Sequence, residues 1–422
     1  MKFYIYNLGC KVNSYESNVM KDNLINNGFI SSSALNADII VINSCCVTNS
    51  ADNKTMKLIR HVRNNYNVIL VVVGCFIQSR KDDLSNIPGD ILIGNRNKSI
   101  ISEYIFKFLE SHQRIEDIID VSSVSFESMR LNNYDHTRAF IKIQDGCNNF
   151  CSYCIIPFTR GGVRSKGKDD VISEVKDLIS SGHKEIVLTG IHTGNYGDDS
   201  YDFACLLDDL VKINGLERLR ISSIEITEIN DRVIDVIRNN KVLVDHMHIP
   251  IQSGSDTILK AMNRKYDVSY FVNKINILRS IRPDISITTD VIVGFPGETD
   301  ELFLETVSNI KKIGFSKLHV FPYSRRRGTV ADSMSCHVDE CIKKKRVGVL
   351  LELSRELEIS YMNKFIGRTV SFIPEVLKDG YLIGHTGNYL NIKYKGDELI
   401  HDSINVLVDS VDYPYCICKK KF

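Results

Sequence analysis

The sequence predicts an α/β protein in three parts: an N-terminal parallel α/β domain, a central partial (β/α)6 barrel, and a small C-terminal antiparallel β-barrel. Three observations predict it. Short β-rich runs alternate with amphipathic helical patterns over the first 110 residues, the alternation restarts for six further units beyond residue 137, and the last sixty residues carry only short alternating runs broken by glycine turns. At 422 residues the chain is nearly three times a typical domain of about 150, so several cores are expected.

Phe3 to Leu8, Ile39 to Asn43, Val68 to Gly74 and Ile91 to Gly94 are the expected strands of the first domain, residues 1–120. Intervening helical stretches make a parallel sheet of them. Val121 to Thr137 is polar, carries Ser122, Ser123, Ser125 and Ser128, and reads as a linker. The second domain, residues 133–364, has six expected strands: Phe140 to Gln144, Ile186 to Thr189, Leu219 to Ser222, Met247 to Ile251, Ile285 to Val293 and Lys317 to Phe321. Val171, Val175, Leu178 and Ile179 illustrate the one-sided apolar spacing of the helices between them. A long helix, about Val338 to Lys364, follows. Residues 365–422 hold five short runs around Val370, Tyr381, Tyr389, Asn405 and Tyr413, separated by turns such as Asp379-Gly380, Gly387-Asn388 and Gly396-Asp397.

Lysine and arginine number 53 against 52 acidic residues, a net charge of +1, with 43% hydrophobic and 25% charged residues. That composition excludes a disordered, collagenous or coiled-coil chain. The longest apolar run, Val68 to Phe76, is far shorter than the ~20 residues of a membrane span. No signal-peptide core follows Lys2, so a cytoplasmic protein is expected. Twelve cysteines are too few for a disulfide scaffold of this length and stand as ligand or core candidates.

Cys147, Cys151 and Cys154 form a C-x3-C-x2-C cluster directly after the first strand of the partial barrel, at the mouth where such barrels keep their chemistry. Three close thiolates wrap one compact inorganic centre, and soft sulfur favours an iron–sulfur cluster or zinc. A closed zinc site wants a fourth nearby ligand, which this loop lacks. In the first domain Cys10, the doublet Cys45-Cys46 and Cys75 each follow a strand, so a parallel sheet brings them to one edge. By residue type alone, core thiols explain these as well as a site does.

The segment Asp145-Gly146-Cys147 to Pro157, followed by Arg160-Gly161, resembles the radical S-adenosylmethionine (SAM) methylthiotransferases. Leu8-Gly9-Cys10-Lys11-Val12-Asn13-Ser14-Tyr15-Glu16-Ser17, Asn43-Ser44-Cys45-Cys46-Val47-Thr48 and Gly74-Cys75 are similar to the family's motifs for a second cluster. The resemblance implies two [4Fe-4S] clusters, one on Cys147, Cys151 and Cys154 that cleaves SAM, and one on Cys10, Cys45 and Cys75 that delivers sulfur. Cys46 stays open as an alternative to Cys45. Cys205, Cys336, Cys341, Cys416 and Cys418 match no ligand position.

Resemblance further implies that Thr189 and Gly190 (in Leu188 to Gly194), Gln252 (in Ile249 to Gly254), Gly294 (before Phe295-Pro296-Gly297-Glu298-Thr299), Phe321 and Tyr323 contact SAM. A strand-to-helix turn capped by Thr299 is the plainer reading of the Gly294 segment, and structural histidines that of His246 and His248. Residues 130–168 carry seven basic side chains against two acidic ones, and residues 325–346 seven against three. Both segments are expected at the barrel mouth, favouring a phosphate-bearing substrate. Arg160, Arg164, Arg326, Arg327 and Tyr389 are the candidate tRNA contacts. The last sixty residues resemble the TRAM domain, which in this family grips RNA; Tyr381, Tyr389, Tyr394, Lys393, Lys395 and the Lys419-Lys420-Lys421 tail supply stacking and charge.

Within the family the match is to the enzymes acting on threonylcarbamoyladenosine in the anticodon stem-loop of tRNA, with an electron donor such as flavodoxin or ferredoxin as partner and neither DNA nor membrane. Alternatives are isopentenyladenosine in tRNA, an aspartate of a ribosomal protein, and a non-catalytic zinc protein that binds RNA.

Overall fold

The computed structural model describes residues 1–422 apart from 123, 132–136, 399 and 421–422, so Ser123, part of the expected linker and Lys421 lie outside the described residues. In the N-terminal part, β1 (Lys2–Asn7), β2 (Ile30–Ser31), β3 (Ile39–Ser44), β4 (Ile69–Gly74), β5 (Ile91–Ile93) and β6 (Ile115–Asp117) make one parallel sheet in the order β2-β1-β3-β4-β5-β6. Helices cover both faces, which is why β3 runs apolar from Ile39 to Ile42 and β4 from Ile69 to Val73. Ile39, Val41, Val71 and Val73 face one core, and Ile40, Ile42, Leu70 and Val72 the other. The four expected strands are present, and the two edge strands, β2 and β6, are too short to give a periodic signal.

The central part comprises β7 (Arg138–Lys142), a short antiparallel pair β8 (Gln144–Asp145) and β9 (Arg164–Ser165), then β10 (Glu185–Thr189), β11 (Arg218–Ile221), β12 (His246–His248), β13 (Ser286–Val293) and β14 (Lys317–Pro322). Its parallel ladders are β7-β10-β11 and β12-β13-β14, joined through a single parallel bridge from Leu219 to Leu243. The six expected barrel strands are therefore present as two three-stranded halves. The helix Glu340–Asn363 buries Leu350 and Leu353 against the same core. The expected linker is not merely a tether: Met129 and Leu131 are buried in the barrel core, and the Met129 carbonyl accepts from Tyr15 Oη and Lys166 Nζ.

The C-terminal part is a closed barrel of β15 (Thr369–Lys378), β16 (Tyr381–Thr386), β17 (Asn391–Tyr394), β18 (Ile404–Asp412) and β19 (Tyr415–Lys420) in the order β15-β16-β17-β19-β18. It is not wholly antiparallel as expected, because β17 and β19 pair in parallel. The reason is geometric: five strands cannot alternate direction all the way around a closed ring. This barrel sits under the N-terminal ends of the central strands, where Arg218 donates to the carbonyls of His385 and Ser371, both at 3.1 Å.

Candidate active site

Loops at the C-terminal ends of β1, β3, β4 and β8 bring Cys10, Cys45, Cys75, Cys147, Cys151 and Cys154 to the wall of one cavity of about 830 Å³. Cys10 caps the helix Lys11–Asn26, and its thiol donates to Asn13 Oδ1 at 3.3 Å. Cys75 starts the short helix Cys75–Gln78 after β4. Cys46 does not reach the cavity. It is fully buried behind it, packed with Cys75 and Ile155, and its thiol hydrogen-bonds Cys75. That hydrogen bond, with the Arg160 and Lys98 charges, outweighs burial and holds Cys75 below an ordinary thiol, whereas burial pushes Cys45 up to about 11.

The Cys147 loop is anchored through its backbone. Cys147 N–H donates to Gly161 O, Ser152 N–H to Met262 O, and Ala331 N–H to Ser152 O. Gly146 is required here, since its φ is +75° and a Cβ would sit 1.9 Å from Gly162 O. Gln144 ties the loop to the next strand: its amide nitrogen donates to the carbonyls of Asp145 and Gly146, and its oxygen accepts from Ile191 and His192 N–H. Arg264 donates to Cys151 Sγ at 3.3 Å and pairs with Glu225, while His192 pairs with Glu228. Burial lowers the His192 pKa, but hydrogen bonds to Cys147 and Glu228 outweigh it and bring it up to about 10.

These residues fit anionic, thiolate-held clusters. Two cysteine triads face a shared space, and cations stand beside a thiol of each: Arg264 at Cys151, and Arg160 and Lys98 at Cys75. Among the described residues no three His, Cys, Asp or Glu side chains converge tightly enough for one ion, and a four-iron cube spreads its ligands over separate irons.

Of the expected SAM contacts, Thr189, Gly190, Gln252 and Phe321 line the cavity. Gly294 and Tyr323 stand outside its lining. Gly294 adopts φ +71° in the turn after β13, with Lys343 packed where a Cβ would go, and Thr299 caps the following helix. Tyr323 is buried against Phe295 and stacks on His337.

The expected RNA contacts need larger correction. Arg160 is fully buried and bonds Glu16 and Asp145 at 2.9 and 3.1 Å; Arg164 turns inward to Asp145 at 3.3 Å. Arg326 is buried against Asn49 and Asp52 of the N-terminal part, both at 3.0 Å. Arg327 is exposed. Tyr389 closes the cavity floor from the C-terminal barrel, clamped by Arg138 at 2.5 Å and stacked under Arg220. The basic excess of residues 130–168 is largely spent internally, on Lys142 with Glu16 and Asp145 and Lys166 with Glu174 as well as on Arg160 and Arg164. In residues 325–346, Lys343 and Arg346 are likewise buried and paired and Arg325 is exposed but paired with Asp332, leaving Arg327, Lys344 and Lys345 exposed without a carboxylate partner among the described residues. Tyr394 is a core residue of its barrel, as are Cys416 and Cys418. His246 and His248 both bond Thr288 Oγ1 and line the cavity.

Sequence reasoning missed Glu16, Gln144, His192, Glu225 and Arg264 as residues that build the site. Their neighbours in the chain carry the motifs, but partnership across the fold leaves no periodic trace.

Residues 141–310 match the radical SAM superfamily, and residues 2–94 match an uncharacterized protein family, UPF0004. The chain is 42% identical to the threonylcarbamoyladenosine tRNA methylthiotransferase MtaB of Bacillus subtilis, over 97% of this chain and 94% of that protein. It is 38% identical to MtaB of Thermotoga maritima, over 94% and 92%. It is 33% identical to the tRNA-2-methylthio-N(6)-dimethylallyladenosine synthase of Clostridium perfringens, over 96% and 94%. Among solved structures, the radical SAM methyltransferase TsrM of Kitasatospora setae shares the fold with a TM-score of 0.59 at 13% identity, covering 78% of this chain and 77% of that one. With two cysteine triads on one cavity and relatives matched along their whole length, the chain belongs to the radical SAM tRNA methylthiotransferase family.

Proposed function

We propose that this protein methylthiolates C2 of threonylcarbamoyladenosine beside the anticodon of tRNA. The observation that carries the reading is the convergence of six cysteines from two domains on one cavity, joined to full-length similarity to MtaB. In this reading Cys147, Cys151 and Cys154 hold a [4Fe-4S] cluster, and Cys10, Cys45 and Cys75 hold a second. When bound, the first cluster and SAM supply radical chemistry, and the second supplies the sulfur.

The protein's own part is placement. Thr189, Gly190, Gln252 and Phe321 surround the space for SAM. Gln144 locks the Cys147 loop to the strand bearing Thr189 and Gly190, so ligands and cofactor keep one register. Both triads line one cavity, so a base that enters it meets both. Arg327, Lys344 and Lys345, exposed and without a carboxylate partner among the described residues, serve phosphate contact. No described helix is long and apolar enough to cross a membrane.

The test is nucleoside analysis of tRNA from a deletion strain with and without the restored gene. Gene-dependent 2-methylthio-threonylcarbamoyladenosine is expected. Its presence without the gene refutes the reading, as does dependence of 2-methylthio-isopentenyladenosine or of a ribosomal-protein modification instead.

A further inference from the structure

The lysine and arginine side chains on the cavity wall are Lys11, Arg160, Arg264 and Lys317. Three are matched: Arg160 by Glu16 and Asp145, Arg264 by Glu225, and Lys317 by Glu358 at 3.0 Å. Lys11 has no carboxylate or hydrogen-bond partner for its ammonium among the described residues. Following Cys10 directly, it projects from the cysteine-bearing loop into the lower cavity, within electrostatic range of Arg138, Arg220, His246 and His319.

Asp290 on the same wall pairs with His248 at 3.2 Å. Arg138 pairs with Glu375, and Arg218 and Arg220 share Glu185. Both terminal nitrogens of Arg220 are buried without hydrogen-bond partners, and so is Nδ1 of His246, a buried residue on the cavity wall. Buried polar atoms left unmatched beside the cavity are costly unless a ligand completes them, and the exposed Lys11 ammonium is accessible to the same ligand. The ligand that completes them is an anion.

Resting on the substrate reading above, we infer that Lys11, with His246 beside it, binds the free carboxylate of the threonylcarbamoyl group and so selects the modified base. The geometry of adenine supports this. C2 and the N6 substituent leave the ring in different directions, so a base that offers C2 to the cysteines turns its N6 group away from them into the rest of the cavity. A cation there rewards a carboxylate-bearing N6 group and gains nothing from an uncharged one.

The experiment uses the reconstituted full-length enzyme with two anticodon stem-loop RNAs, one carrying threonylcarbamoyladenosine and one its threonyl methyl ester, and compares kcat/KM for each. Wild type is expected to prefer the free acid. Lys11→Gln reduces that preference by roughly 10- to 100-fold, the range for a hydrogen bond to a charged group, mainly through KM. Lys11→Arg retains most of it. An unchanged preference in Lys11→Gln overturns the inference, as does an equal loss on both RNAs, which marks a structural role. So does a raised KM for SAM alone, which assigns Lys11 to the cofactor carboxylate. If wild type turns over neither RNA, the substrate reading itself fails, a separate result.

Discussion

Glu16 offers the sharpest test of how the two domains are held in register. Fully buried on the helix Lys11–Asn26, its carboxylate takes Lys98 Nζ at 2.5 Å, Lys142 Nζ at 2.8 Å and Arg160 Nη1 at 2.9 Å. Lys98 belongs to the N-terminal part, and Lys142 and Arg160 to the barrel. Asp145 is the second anion, meeting Lys142, Arg160 and Arg164 at 2.8, 3.1 and 3.3 Å. Glu16→Gln therefore leaves one carboxylate among four cations. Removing one partner from a buried ionic network costs about 3–5 kcal/mol, or roughly two to four powers of ten in the equilibrium. At a urea slope of about 3 kcal/mol/M the midpoint falls by about 1 M or more. Hydrogen exchange along residues 11–26 localises the loss. A destabilisation under about 1 kcal/mol would refute the reasoning.

The pH dependence of this network has a definite sign. Burial alone raises the Glu16 pKa, but Arg160, Lys142 and Lys98 outweigh it and hold the carboxyl well below the usual range. A depressed carboxylate stabilises fully above its unfolded pKa of about 4.3, and that contribution is lost as pH falls through the lower folded value. Wild type thus keeps it at neutral pH and loses it in acid. Glu16→Gln is already without it and shows a shallower acid limb.

Two further outcomes follow from the site. Cys45→Ala lowers the iron content of anaerobically reconstituted protein by about four atoms, whereas Cys46→Ala, which removes only the thiol behind Cys75, retains the iron; equal losses would contradict the assignment of the doublet. Arg327→Ala reduces the slope of log Kd for tRNA against log salt concentration by about 1, while Arg326→Ala leaves the slope unchanged and instead destabilises the protein by about 1–3 kcal/mol, because Asp52 loses its closer, buried cation and keeps only Arg80 at 3.5 Å. The same slope change in both variants would show that Arg326 reaches RNA after all.

The sequence alone determined what is local or periodic. Three cysteines within eight residues define one loop, and cysteines placed after successive parallel strands reach one sheet edge whatever the details of packing. The six barrel strands are legible for the same reason, because alternation and apolar spacing repeat along the chain. The edge strands β2 and β6 offer no apolar run, since Ile30–Ser31 and Ile115–Asp117 hold one apolar residue each.

Only the tertiary structure decided which cations are free. Arg160 meets Glu16 144 residues away, Arg326 meets Asp52 274 residues away, and Arg138 meets Tyr389 251 residues away. An arginine in a basic run looks the same in sequence whether its partner is solvent, phosphate or a distant carboxylate. Charge counting therefore lumped internally paired arginines with exposed ones and gave no sign of Lys11, which lacks a carboxylate partner among the described residues. Coulomb interactions act through space, so their bookkeeping closes only once the fold has set the distances.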